Sequence, residues 1–176
     1  MSFQTAQYIP SSRRDAIRAL PVDYVHAVGH SRKPWGNRFT NHWCLYLQTG
    51  ENSSVRIDMV PSYYVASTVI QGGSKGNLII SKLEYEYSSN ATKVVTIQPP
   101  QGLCVSDVID TLLAAGRDKY EFNGEGVGCR MWTADALNLL EKKGWGSSTN
   151  YEAAKQAIAK LWPDGTDLPL DHGAYY

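Results

Sequence analysis

The sequence predicts an α+β fold, an antiparallel sheet of about five strands packed against about three helices. Segments rich in β-branched and aromatic residues dominate the chain before Pro99-Pro100, and beyond it the apolar period lengthens from two to between three and four. The 176 residues, 43% hydrophobic and 19% charged, hold enough apolar material for one core, so a single domain over 1–176 is expected and wholesale disorder is excluded.

The predicted strands are 22–30 (VDYVHAVGH), 42–48 (HWCLYLQ), 54–60 (SVRIDMV), 77–87 (NLIISKLEYEY) and 93–98 (KVVTIQ). The polar TGENS stretch after Gln48 is short enough to join 42–48 to 54–60 as a hairpin. A second hairpin is expected between 77–87 and 93–98, turning at Ser88-Ser89-Asn90. Ser106 can cap a helix over 107–115, with Val108, Ile109, Leu112 and Leu113 at helical spacing and Gly116 as its stop. The next helix starts near Gly128 or Cys129 and runs to about Lys143, carrying Trp132, Ala136, Leu139 and Leu140 on one stripe. A third covers 151–161 and ends before Pro163, and the tail LPLDHGAYY is expected to be irregular.

Seventeen Lys plus Arg against seventeen Asp plus Glu leave no overall field for a phosphate backbone or an anionic membrane surface, so nucleic acid is not an expected partner. The basic cluster around Arg13, Arg14 and Arg18 reads as a solvated face. Cys44, Cys104 and Cys129 are an odd set with no CxxC, which suggests neither a zinc site nor a disulfide framework and fits a reducing, cytoplasmic setting. The N-terminus lacks the pattern of a signal peptide, and no stretch approaches the roughly 20 apolar residues that span a bilayer. No cofactor or metal is expected: His26 and His30 are four apart in what looks like a strand, with no third ligand.

The chemistry concentrates in Asn41-His42-Trp43-Cys44-Leu45-Tyr46-Leu47 and Gly126-Val127-Gly128-Cys129-Arg130. A thiol reacts as thiolate, and the start of a helix favours the thiolate through unpaired N–H groups and the positive end of the dipole. Cys129 has that position. Gly126 and Gly128 before it permit close approach of a substrate and could aim amides inward as an oxyanion hole. His42 opens a strand and is the residue type that serves as base to a thiol. Asp58, between Ile57 and Met59 on the adjoining strand, can reach the imidazole and fix its tautomer. Taken singly, each has a structural alternative: Cys129 as a small apolar residue, His42 as a satisfied buried histidine, Asp58 as a solvated strand residue. Only the joint placement lifts the catalytic reading. Cys44, mid-strand, lacks an activating helix end and reads as structural. Asn41, Trp43, Arg130 and Trp132 flank the two segments and are the candidate substrate-binding residues, with Arg38 and Asn123 as further polar neighbours.

The run His42 to Leu47, the hairpin after it and the later Cys129-Arg130-Met131-Trp132 resemble the permuted papain-like proteins, within them the lecithin:retinol acyltransferase type related to NlpC-type peptidases. In that family an H-W-A-I/L-Y-V strand supplies the base, a polar residue on the next strand orients it, and N-C-E-H-F opens the helix with the nucleophile. The resemblance implies Cys129 as nucleophile, His42 as base and Asp58 as orienter, in a permuted papain-like α+β fold. Gly128 stands where the family has Asn, and Asp58 where close relatives have a second His. The pattern GNRFTNHWCLYLQ with the later GVGCR also resembles small fungal proteins, which implies a role in secondary metabolism. Two functions follow as expectations: cysteine-dependent acyl transfer or hydrolysis on a small amide, ester or thioester, or non-covalent, cyclase-like binding of a small molecule in the same pocket through its tryptophans.

Overall fold

The structure, a computed structural model, describes residues 2–176. The chain opens with β1 (Ala6–Ile9) and the short helix α1 (Arg14–Arg18), followed by β2 (Tyr24–His30) and a small hairpin of β3 (Lys33–Trp35) and β4 (Arg38–Thr40). Then come β5 (Trp43–Gly50), β6 (Ser53–Ala66), β7 (Ser74–Leu83) and β8 (Ala91–Ile97). The second half holds α2 (Val105–Ala114), β9 (Tyr120–Phe122), α3 (Cys129–Lys142), α4 (Ser148–Ile158), β10 (Lys160–Leu161), β11 (Thr166–Asp167) and β12 (Ala174–Tyr175).

The fold is α+β with a mostly antiparallel sheet. Its order is β12-β9-β7-β6-β5-β2-β8, and β1 joins as an eighth strand, parallel to β7. Four α-helices accompany it, so both counts exceed the expectation of five strands and three helices. The additions are short segments, below the length at which alternation is legible: β9 and β12 have three and two residues, and α1 has five. The tail expected to be irregular supplies β12, paired with β9 and held by a Tyr175 hydroxyl donating to Asp135 Oδ2 at 2.8 Å.

The hairpin between 42–48 and 54–60 forms as expected, with Leu45 opposite Ile57 and Leu47 opposite Val55. The second expected hairpin does not. β8 pairs with β2 instead, Val25 opposite Ile97, at the far edge of the sheet from β7. The segment between β7 and β8 crosses the sheet face that lacks helices, where Ser54 Oγ donates to the Tyr85 carbonyl at 2.6 Å and Tyr87 packs edge-on against His26. The 77–87 run thus ends as a strand at Leu83, because Glu84 to Tyr87 cover rather than extend the sheet.

Alternation along the central strands separates two faces. Val25, Ala27, Trp43, Leu45, Leu47, Val55, Ile57, Met59, Leu78 and Ile80 point into the main core, where Val108, Ile109 and Leu112 of α2, Ala136 and Leu140 of α3 and Ile158 of α4 meet them. Full burial of one such aliphatic side chain is worth about 1.5–3 kcal/mol. The other face carries a small cluster of Val28, Cys44 and Tyr46 among polar residues. Helix α2 begins earlier than expected because Cys104, not Ser106, is its N-cap: the Asp107 carboxylate accepts from the Cys104 N–H at 2.8 Å in a capping box. Helix α4 likewise starts at Ser148, capped by the Ser147 hydroxyl. The basic cluster on α1 is solvated as expected, with Arg18 forming a paired contact to Asp110 at 2.9 Å.

Two buried charges tie loops to this frame. The Glu121 carboxylate on β9 accepts from the Thr68 N–H at 2.7 Å, the Thr68 hydroxyl at 2.7 Å, the Val69 N–H at 2.8 Å and the Ser67 hydroxyl, which fixes the β6–β7 connection. Burial alone would raise its pKa, but these donors hold it down at about 2. The Arg130 guanidinium, also buried, donates to the carbonyls of Ile158 at 2.9 Å, Pro169 at 2.8 Å and Leu168. Among the described residues no helix is long and apolar enough to cross a membrane.

Glu121→Gln keeps the shape but weakens the acceptor. An expected loss of about 1–3 kcal/mol should appear in denaturant melts near neutral pH. A carboxyl whose folded pKa lies at about 2 rather than 4.5 contributes stability above its unfolded pKa that is lost as pH falls through that window. The difference between wild type and variant should therefore shrink in melts run at progressively lower pH. Arg130→Met leaves three carbonyls without their donor and should cost about 3 kcal/mol or more in the same melts.

Candidate active site

Helix α3 begins abruptly. Asn123 Oδ1 accepts from the N–H groups of Glu125 and Val127, both at 3.0 Å, and the Gly126 N–H donates to the Asn123 carbonyl at 2.9 Å, so residues 123–127 close into a compact turn. Gly126 has φ 73° and Gly128, the N-cap, has φ 150°, conformations that side chains disfavour. A Cβ on Gly126 would lie 2.5 Å from the Tyr63 hydroxyl, and one on Gly128 3.2 Å from that of Tyr120. Cys129 follows as the first helical residue.

What aims Cys129 at the sheet is the contact of α3 with the start of β5. The Thr133 hydroxyl, one turn on, donates to the Trp43 carbonyl at 3.2 Å and the Cys129 carbonyl at 2.8 Å. His42, immediately before β5, and Cys129 line the same cleft, where the His42 ring and the Trp43 N–H act on the thiol. On its far side the His42 ring donates from Nε2 to Asp58 Oδ1 at 2.7 Å. With Nε2 given to Asp58, Nδ1 is the nitrogen left for Cys129. The structure thus brings Cys129, His42 and Asp58 together. Cys129 and Asp58 are buried, and the His42 side chain is 25% exposed.

The ionisation of the three groups follows from this packing. Burial disfavours every charged form, yet the neighbouring charges override it. For His42, desolvation is outweighed by Cys129 and by the Asp58 carboxylate, which together raise its pKa to about 10. Burial pushes the Cys129 thiol up, but the His42 charge, the His42 hydrogen bond and the Trp43 N–H bring it below an ordinary thiol. Asp58, pushed up by burial, is brought down by His42 and by Arg56, whose Nε is 3.9 Å from Oδ2. Together they favour a thiolate beside an imidazolium.

A second row of side chains steadies the histidine. His30 donates from Nδ1 to the His42 carbonyl at 3.0 Å and accepts from the Tyr46 hydroxyl on Nε2 at 3.0 Å. The Arg56 guanidinium in turn acts on Tyr46 from the next strand, Arg56 lying opposite it in the register. His30 is kept neutral, its pKa lowered chiefly by burial. His26 is occupied separately, by Thr96 Oγ1 and Gln48 Oε1, both at 2.8 Å.

The four residues expected to bind substrate do not line the cleft. Trp43 is fully buried against Gly29, where a Cβ would come within 2.8 Å of the indole. Trp132 is in the core, its Nε1 donating to the Arg117 carbonyl at 2.7 Å. Asn41 joins β2 to the segment after α4, donating to the carbonyls of His30 at 2.8 Å and Trp162 at 3.0 Å and accepting from the Trp162 N–H at 2.8 Å. Arg130 holds the tail as described. Their sequence neighbours His42 and Cys129 project elsewhere, because adjacent residues on a strand or helix point in different directions. Arg38 stacks on Trp35, and Asn123 organises the turn before Cys129.

The cleft itself has a volume of about 570 Å³. His42, Asp58 and Cys129 lie in its wall with Met59, Val60, Pro61, Phe122 and Val127, and its rim is formed by Lys33, Trp35, Tyr63 and Glu125. Trp35 sits on the β3–β4 hairpin and donates to Glu125 Oε2 at 3.0 Å, which closes one side. The Gly36-Asn37 dipeptide between Trp35 and Arg38 was the available signal for that hairpin. Tyr63 has a left-handed backbone, φ 62°, in a bulge of β6 and is 74% exposed; nothing in the alternation announces it.

A family described as a domain of unknown function, DUF7770, matches residues 25–176. The chain belongs to that family. No curated protein and no solved structure matches the chain. The match spans β5, β6 and α3, and with them every residue of the site.

The charge balance at Cys129 gives a direct expectation. The ultraviolet absorbance of thiolate, measured as wild type minus Cys129→Ser, should persist at pH values below the about 8.5 of a free thiol. In His42→Ala burial and the Asp58 charge oppose the thiolate with only the Trp43 N–H left to favour it, so its titration should move up relative to wild type. A titration curve indifferent to His42→Ala would contradict the pairing.

Proposed function

We propose that this protein is a cysteine-dependent enzyme of acyl transfer or hydrolysis, acting on a small amide, ester or thioester, with a fold of the permuted papain-like kind. The reading is carried by one observation: a thiol at a helix start, an imidazole and a carboxylate meet in the wall of a cleft. The chain order, histidine strand before cysteine helix, agrees with that permuted arrangement. A cleft of about 570 Å³ suits a small-molecule substrate.

In this mechanism the Cys129 sulfur attacks the substrate carbonyl carbon, and the carbonyl electrons move onto oxygen. The N–H groups of Gly128 and Cys129, among the amides that a helix start leaves without intrahelical partners, would receive that oxyanion. The Gly126 N–H, an earlier candidate, is already taken by Asn123. The tetrahedral adduct collapses with loss of the leaving group, which takes the Nδ1 proton of His42. A water or an acceptor alcohol, amine or thiol then gives its proton to Nδ1, attacks the thioester carbon and releases Cys129. Asp58 holds Nε2–H throughout and stabilises the imidazolium.

The alternative of non-covalent binding through Trp43 and Trp132 loses its support, since both side chains are core.

The test is labelling of the purified protein by iodoacetamide and by an acyl electrophile, with the adduct located by peptide mass spectrometry. One fast adduct on Cys129 is expected, absent in Cys129→Ala, retained in Cys44→Ala, and slowed about 10²–10⁴-fold in His42→Ala. Slow, equal labelling of Cys44 and Cys129 would sink the proposal.

A further inference from the structure

Cys44, the second residue of β5, points to the sheet face turned away from the helices, and His42, just before the strand, turns its ring to Asp58 on that side. Continuing the register in which Leu45 faces Ile57 sets Asp58 directly across from Cys44. One ligand atom from each, an imidazole nitrogen, a thiol sulfur and a carboxylate oxygen, lie within 4.8 Å of one another. Cys129 is not among them.

From this we propose that His42, Cys44 and Asp58 form a site for a thiophilic divalent cation such as Zn²⁺, whose occupation switches off the acid–base function of His42. The switching clause rests on the enzyme reading above; metal capture does not. Three protein donors of N, S and O type with a fourth position open describe a zinc site of the exchangeable kind. Donors on one tetrahedral ion stand about 3–4 Å apart, so a pair separated by the full 4.8 Å must close by about 1–2 Å. Because His42 and Asp58 lie in the cleft wall, an ion can enter from the cleft, and a water or a small anion there completes the coordination. The sulfur of Cys44 is fully buried behind them, which suits a soft ligand sealed from oxidants.

Coordination takes the Nε2 lone pair of His42 and displaces its proton, and the Cys44 thiol releases its own proton to solvent. The ring keeps a hydrogen on Nδ1 and has no lone pair left for the proton of an incoming acyl acceptor. Asp58, drawn onto the metal, no longer orients the imidazole. Arg56, 3.9 Å from Asp58 Oδ2, opposes the added positive charge. Loss of that cation in Arg56→Met should therefore tighten binding.

The experiment uses the full chain with Zn²⁺ in equilibrium dialysis and Co²⁺ in absorption spectroscopy, where a thiolate ligand gives a charge-transfer band. One Zn²⁺ per chain and a cobalt–thiolate band are expected, both retained in Cys129→Ala and both weakened at least about tenfold in Cys44→Ser. If Cys44→Ser fails to fold, the wild-type and Cys129→Ala spectra decide. Cys104, the one other thiol, caps α2, hydrogen-bonded to the Gly102 carbonyl. No zinc bound by wild type, binding indifferent to Cys44→Ser, or binding lost in Cys129→Ala overturns the site. Zn²⁺ should also slow hydrolysis of a nitrophenyl acetate ester by wild type but not by Cys44→Ser, and bound zinc with undiminished hydrolysis overturns the switch. A wild type that binds zinc yet never acylates Cys129 supports the metal site and fails the enzyme reading.

Discussion

The buried guanidinium of Arg130 gathers the carbonyls of Ile158, Leu168 and Pro169 onto the first turn of α3, one residue beyond the Cys129 thiol. A lysine could reach one of these oxygens, but a planar fork of five donors holds all three at once. Charge in the interior is costly unless paired, and here Asp171 stands 3.9 Å away to balance it. The start of α3 is thereby tied to the end of α4 and to the C-terminal tail before Cys129 makes any contact. The second tie, Thr133 to Trp43, joins the same turn to β5. Helix starts fray; this one is clamped on two sides, so the distance from Cys129 to His42 is a property of the frame rather than of a loop.

The histidine is fixed with the same economy. Its carbonyl receives two donors from His30, the backbone N–H at 2.9 Å and the ring at 3.0 Å, so backbone and imidazole move together. Arg56 contributes twice, through Tyr46 and His30 to the back of His42, and beside Asp58 to its front. Three buried ionisable groups in a row would repel or neutralise if all carried one sign. Thiolate, imidazolium and carboxylate alternate, and the surplus negative charge is answered by Arg56. Ordinary stability terms thus maintain the charge pattern that acyl-transfer chemistry would use.

These relations explain what the sequence could disclose. The pairing of 42–48 with 54–60 was legible because both runs alternate and a short polar turn joins them, and with it came Asp58 beside His42. The start of α3 near Gly128 or Cys129 was legible from the helical recurrence of Trp132, Ala136, Leu139 and Leu140. Arg130 and Asn41 were misread as substrate contacts, since a polar residue beside a reactive one carries no mark of where it points. Their partners are backbone carbonyls and amides 11 to 121 positions away, and backbone atoms leave no signature in composition. The edge pairing of β8 with β2 was invisible for a related reason: local turn chemistry favoured folding 93–98 back on 77–87, while burial of Ser54 and His26 beneath the intervening segment favoured the crossing path. Tertiary burial won over the shorter loop.

Parity along β5 separates packing from chemistry. Trp43, Leu45 and Leu47 serve the core, and their own neighbours His42, Cys44 and Tyr46 form the polar row. A register slip of one residue against β6 would put Asp58 into the helix-facing core. The bulk of Trp43, admitted only because Gly29 across the strand has no side chain, makes such a slip prohibitive. The same alternation leaves Cys44 facing Asp58, so a thiol stands beside the carboxylate that holds His42. A purely structural small residue there would need no sulfur, and a second thiol within reach of the imidazole is a liability unless it is sealed or used. Burial seals it from solvent, while the cleft leaves its two partners open to an ion.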